Sequence, residues 1–128
     1  MIRGYRRRVF TSRPADLLAV LAGGFVGTAA RQVVLLLGPA AGLAVANLLG
    51  CALLGILDAI LGSRRPRLRC FLVVGGVGAF TSWSSLAVQG LSATGLTILV
   101  FEVPAGVGAA WLGRRLGTRL VRLGRTRT

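Results

Sequence analysis

The sequence predicts an all-α integral membrane protein: one domain over residues 1–128 with four transmembrane helices. Three observations predict it. Apolar side chains make up 54% of the 128 residues against 15% charged, with a mean hydropathy of +0.74, too apolar for a water-soluble domain of this size. Four apolar runs each approach the roughly 20 helical residues that cross a hydrocarbon layer about 30 Å thick. Finally, fifteen of the sixteen arginines fall in three clusters outside those runs.

The first span, residues 17–37, follows a basic tail (1–16) and is interrupted only by Arg31 and Gln32. Arg7-Arg8-Val9-Phe10 faintly resembles a twin-arginine export motif. The apolar run behind it is too long for a signal h-region and lacks a small-residue cleavage site, so it is read as a span. The second span, 39–61, contains Asn47 and Asp58. The third, 70–88, carries no charge but includes Thr81-Ser82-Trp83-Ser84-Ser85. The fourth, 93–112, has Glu102 and Pro104 at its middle and precedes a second basic tail, 113–128.

The connections at Gly38-Pro39 and at residues 89–92 hold no arginine, whereas five precede span one, four separate spans two and three, and six follow span four. Four spans put all three clusters on one side of the membrane, and the positive-inside rule makes that side the cytoplasm. The expected location is the plasma membrane (the cell inner membrane of a bacterium), multi-pass, with both termini cytoplasmic. A net charge of +13 distributed this way encodes topology and contact with anionic lipid, not a nucleic-acid-binding face.

Enzyme chemistry has little to work with. There is no histidine, and the two cysteines stand far apart, so zinc sites, Ser/His/Asp triads and Cys/His dyads are excluded. Cys51 lies within an apolar run and Cys70 beside an arginine cluster, which argues against a disulfide between them.

The polar residues inside the spans carry the functional information. An amide or charge in hydrocarbon is costly, so it turns toward a partner or a wet cavity. At about 1.5 Å per residue, Arg31 lies roughly 9 Å below the outer end of span one, and Asn47 and Glu102 lie roughly 12 to 14 Å below the outer ends of spans two and four. Asp58 sits near the cytoplasmic end, within reach of water, Arg64 or Arg65. Gly38, Gly42, Ala46 and Gly50 repeat every four residues, and Gly23 and Gly27 form a GxxxG step; such stripes serve close helix packing, within the chain or between chains. In span three, Gly75-Gly76-Val77-Gly78-Ala79-Phe80-Thr81-Ser82 joins poor helix formers to hydroxyls that compete for backbone hydrogen bonds. That composition fits either a broken helix lining a cavity or a continuous glycine-rich helix packed on a neighbour.

Three segments carry a family resemblance. Gly23-Gly24-Phe25-Val26-Gly27-Thr28-Ala29-Ala30-Arg31, Gly42-Leu43-Ala44-Val45-Ala46-Asn47-Leu48-Leu49-Gly50 and Gly78-Ala79-Phe80-Thr81-Ser82-Trp83-Ser84-Ser85 resemble, in order, the signatures of spans one, two and three of the Fluc/CrcB fluoride channels. The resemblance implies an antiparallel, inverted dimer with a broken third helix, two narrow anion pathways and a structural sodium ion at the dimer interface. Carried over, the backbone carbonyls of Gly78 and Thr81 hold the sodium, and Asn47, Phe80, Trp83, Ser84, Ser85 and Arg31 belong to the fluoride pathway. Fluoride is small and strongly hydrated, so a path must replace its water with closely spaced donors, which amides, hydroxyls and aromatic edges provide.

The chain departs from that pattern at several points. Trp83 and Leu86 stand where the family has phenylalanines, Gln89 where it commonly has glutamate, and Glu102 near a pore-lining serine. A carboxylate there repels fluoride unless it pairs with Arg31 of either subunit. The arginine asymmetry also fixes one orientation for this chain, which favours a homologous partner of opposite topology over a homodimer. The expected function is therefore a subunit of a passive fluoride-export channel. A proton-coupled small multidrug transporter and a non-conducting partner subunit remain the alternatives.

Overall fold

A computed structural model of the protein describes residues 13–62 and 65–125. Arg3, Arg6, Arg7 with the rest of the Arg7-Arg8-Val9-Phe10 motif, Arg64 and Arg127 lie outside the described residues. Those described are helical, with no strand among them.

Helix α1 spans Pro14–Leu35 and starts at a proline, whose fixed φ suits a first helical turn and whose missing N–H costs nothing there. Gly38, at φ 109°, makes the tight turn into α2, Pro39–Leu61, which also begins on a proline. The third span, Pro66–Gln89, is composite: α3 (Pro66–Arg69), a π-helical segment (Cys70–Val77), α4 (Gly78–Phe80) and α5 (Trp83–Gln89). Helix α6 runs from Ala93 to Arg125.

All four helical spans are long and apolar enough to cross a membrane. Span two matches its expected bounds. The other limits shift: the first helix is Pro14–Leu35, the third begins at Pro66, and the fourth continues past residue 112 to Arg125. That continuation follows from its sequence. Arginine and leucine are good helix formers, no proline follows Pro104, and Gly113 and Gly117 still lie against α2. At about 1.5 Å per residue the helix is about 50 Å long, more than the hydrocarbon thickness.

Span three breaks at Thr81 and Ser82, whose φ/ψ of −80/158° and −144/91° are extended. Of the two conformations its composition allowed, the broken helix is the one adopted.

The small-residue stripes are used within the chain. Helix α2 packs chiefly on α6, and α1 chiefly on the π-helical segment. A Cβ on Gly23 or Gly27 would collide with the carbonyls of Phe71 and Gly76 respectively. Those two carbonyls are five residues apart, the i→i+5 spacing that a π-helix brings onto one face. Likewise Gly55 faces the Ala110 carbonyl, Gly113 the Ala52 carbonyl, Gly42 the backbone of Leu35 and Gly50 the Thr81 side chain. Ala46 is 0% exposed, and α2 is the most enclosed of the four spans. The outer surface is apolar, as hydrocarbon requires, with Leu21, Phe25, Leu36, Val100, Phe101 and Val107 all exposed.

Charges gather at one end of the bundle. Asp58, expected within reach of water, Arg64 or Arg65, is part-exposed and pairs with Arg69 Nη1 at 2.9 Å. Asp16 meets Arg67 Nε at 3.9 Å, and the Arg115 guanidinium stacks 3.7 Å from the Trp111 ring centroid. Exposed pairs of this kind contribute about 0–1 kcal/mol each, so backbone-close packing, not charge pairing, holds the bundle.

This packing makes opposite predictions for two glycines. Gly55→Ala places its methyl against the Ala110 carbonyl and within 2.7 Å of Arg114 N, so it should destabilise by about 1–3 kcal/mol, as overpacking does. A Cβ on Gly108 meets nothing within 4 Å, so Gly108→Ala should be neutral or stabilising by up to about 1 kcal/mol. Thermal unfolding of the two purified variants in detergent reads the difference.

Candidate functional site

The break in span three creates the site. Within hydrocarbon no water can satisfy a freed backbone group, so each one needs a protein partner. In a continuous helix the Ser82 N–H would bond to the Gly78 carbonyl; here it donates to Asn47 Oδ1 at 2.9 Å. Similarly, the Ser85 N–H that would serve the Thr81 carbonyl donates to Ser82 Oγ at 3.3 Å, a side-chain cap on α5. Two side chains thereby take up the donors, and the carbonyls of Gly78 and Thr81 are released from the helical ladder. Oxygen ligands of this kind suit a hard monovalent cation, so the residues present fit the sodium ion implied by resemblance.

Asn47 is the hinge of a longer network. Its Nδ2 donates to Glu102 Oε1 at 2.9 Å, while its Oδ1 holds Ser82 N. Asn47, Ser82 and Glu102 are each 8% exposed, so one buried chain of bonds ties α6, α2 and the break together. Around it, the hydroxyls form a cluster: Ser82 Oγ lies 2.7 Å from Ser85 Oγ and 3.5 Å from Ser84 Oγ. Thr81 Oγ1 donates to the Val77 carbonyl at 3.1 Å, its methyl lying against Gly50.

Two cavities flank this network. The larger, about 440 Å³, is lined by Asn47, Gly78, Thr81, Trp83, Leu86 and Glu102 together with apolar residues of α2, the π-helical segment and α6. The smaller, about 330 Å³, is lined by Arg31, Leu35, Pro39, Leu43, Ser85 and Gln89. The predicted site residues are therefore divided. Asn47, Trp83, Gly78 and Thr81 share the first cavity, and Arg31 and Ser85 share the second. Phe80 ends α4 beside Gly50, while Trp83 (66% exposed), Ser84 and Ser85 lie on the protein surface.

Within the chain, Arg31 and Glu102 do not pair. Helices α1 and α6 make no contact, so Glu102 meets Asn47, and the buried Nε of Arg31 has no hydrogen-bond partner. Sequence reasoning missed the Asn47–Glu102 bond, although their similar depth signalled it. It also missed the double role of Ser82, as acceptor for Ser85 and donor to Asn47; only the hydroxyl-rich run after a glycine-rich one hinted at that.

The sequence is similar to those of known proteins along most of its length. Residues 18–114 match the family model for "CrcB-like protein, Camphor Resistance (CrcB)". A Cereibacter sphaeroides protein named fluoride-specific ion channel FluC is 31% identical over 116 residues, covering 85% of this chain and 89% of its own length. A FluC of Ruegeria pomeroyi is 34% identical over 116 residues, covering 82% and 92%. A FluC 2 of a Synechococcus strain is 39% identical over 113 residues, covering 82% and 83%. These relatives are ion channels, not enzymes. With its four spans, its capped break and a match over most of its length, this multi-pass membrane protein belongs to the CrcB family.

Proposed function

We propose that the protein is a subunit of a fluoride channel that lowers cytoplasmic fluoride by passive export. The observation that carries this reading is the Asn47–Ser82 bond at the break. It sets an amide, a hydroxyl cluster and aromatic rings side by side, uncharged donors of the kind a dehydrated small halide needs. Fluoride as the permeant ion is supported by the names of the relatives.

In this reading Asn47, Phe80, Trp83, Ser84 and Ser85 replace the hydration shell along the path. Neutral donors attract the anion yet allow it to leave. Arg31, with its unpartnered Nε, draws anions toward the smaller cavity. A sodium ion at the dimer interface, held by the Gly78 and Thr81 carbonyls, contributes a fixed positive charge. The subunits assemble in opposite orientations. Because arginines cluster on one side only, this chain inserts with both termini in the cytoplasm and pairs with a homologous chain of reversed charge bias.

Two observations favour a second reading. Glu102 occupies an Asn47 N–H that the anion would otherwise use, and Leu86 offers no aromatic edge. A subunit that completes its partner's path without conducting through its own has the same features. No observation favours the multidrug-transporter reading.

Reconstituted with its partner in liposomes, the protein should pass fluoride down its gradient, exclude chloride and need no proton gradient; leakage equal to that of empty liposomes refutes the proposal. Asn47→Ala removes the cap on Ser82 and leaves Glu102 unpaired, so it should reduce fluoride flux and cost about 1–3 kcal/mol of stability, the penalty for an unsatisfied buried group. Flux and thermal unfolding check the two parts separately. Reporter tags on both termini should be found on the cytoplasmic side alone, and equal labelling on both sides would contradict the single orientation.

A further inference from the structure

Breaking a membrane helix frees carbonyls as well as N–H groups, so the amide of Asn47 has two ways to meet the break. Its oxygen can accept from the Ser82 N–H, or its NH₂ can donate to a freed carbonyl of Gly78 or Thr81, residues that line the same cavity. The fold adopts the first, with Oδ1 2.9 Å from Ser82 N. The break alone does not decide between them, since it offers the amide a donor and acceptors alike.

Glu102 decides it from the other side. Carried by α6 and 8% exposed, it accepts from Asn47 Nδ2 through Oε1 at 2.9 Å. Among the described residues, Glu102 Oε1 and Ser82 N are the hydrogen-bond partners of the Asn47 side chain. With its donor end drawn toward α6, the planar amide has only its oxygen left for span three. We propose that Glu102 is a positioning residue that acts through Asn47: it fixes the amide with its oxygen on Ser82, leaves one N–H for the cavity and keeps the Gly78 and Thr81 carbonyls unoccupied for a cation. The use of that N–H by an anion rests on the fluoride reading, whereas the orientation of the amide does not.

The role needs no particular charge on Glu102. An ionised carboxylate, a neutral carboxyl, and a carboxylate paired through Oε2 with the proposed sodium ion or with an arginine of a second subunit all leave an oxygen that accepts from Nδ2. Sodium on the two carbonyls would reinforce the same orientation, because it removes the competing acceptors.

Two substitutions of similar length in the assembled, full-length protein test this. Glu102→Gln keeps an acceptor and discards the charge, and Glu102→Met discards both. Hydrogen exchange of single amides is read by NMR in sodium-free buffer, where no sodium competes for the carbonyls. The Ser82 N–H should exchange at the wild-type rate in Glu102→Gln and at least about tenfold faster in Glu102→Met, as a backbone donor that has lost its cap does. The Gly106 N–H, one turn further along α6, should keep its wild-type rate in both, which a general loosening of the helix would not allow. Adding Asn47→Asp to Glu102→Met should slow Ser82 again, because a carboxylate has an accepting oxygen at either end. Fluoride efflux from liposomes should fall several-fold in Glu102→Met, hold in Glu102→Gln and stay low in the double variant, which lacks the amide N–H. Equal Ser82 exchange in Glu102→Met and the wild type, equal loss in Glu102→Gln and Glu102→Met, or no rescue by Asn47→Asp overturns the positioning role. If Glu102→Met does not assemble, the double variant decides: a protected Ser82 supports the role, and a second failure to assemble overturns it. Exchange that follows Glu102 as expected, with no fluoride flux in the wild type, keeps the positioning role and removes the fluoride reading.

Discussion

The arrangement of the site depends on one constraint: a backbone donor freed in the middle of a membrane must find a protein acceptor. Asn47 supplies it to Ser82. Water would make such a cap dispensable, but in hydrocarbon an orphaned N–H costs several kcal/mol. The third span can be broken only because an amide on α2 stands opposite the break. In turn, Asn47 stands there only because α2 lies close to the third span and to α6 through Ala46, Gly50 and Gly55, whose absent or minimal side chains let backbones approach. The local packing and the polar site are thus one device.

Much of this was legible in the sequence. The length and spacing of apolar runs identify four spans, since the hydrocarbon thickness sets one number that every span must meet. Helix α2 begins and ends where the second apolar run does, because a Gly-Pro turn and a terminal glycine punctuate it at both ends. The fourth helix runs beyond the expected span, because arginines mark the membrane edge without ending the helix. The π-helical register of Cys70–Val77 was not legible. It depends on where the carbonyls of Phe71 and Gly76 must sit against Gly23 and Gly27, a tertiary demand that no local propensity encodes.

The polar residues within the spans were legible in the sequence, and the hydrogen bonds between them were not. Depth along each helix put Arg31, Asn47 and Glu102 near one level, but depth leaves the angle around the bundle unspecified. The order of packing decides that angle. Helix α2 separates α1 from α6, so Glu102 reaches Asn47 and Arg31 does not. Asp58 shows the same limit at the bundle's end. Proximity in sequence points from Asp58 to water, Arg64 or Arg65, while the fold of α3 brings Arg69 to it.

The division of polar residues between two cavities bears on how a path can form at all. The larger holds Asn47, Thr81 and Glu102, and the smaller holds Arg31, Ser85 and Gln89. Between them Trp83, Ser84 and Ser85 are exposed on the protein surface, a place where hydroxyls facing lipid would lack partners. Serine hydroxyls bonded to one another relieve part of that cost, and a second protein surface can relieve the rest. An anion shedding its water needs donors on all sides at once, and a single protomer presents them on one. The partner proposed above suits this geometry: a second chain laid against the break would turn an exposed row of hydroxyls into an enclosed one.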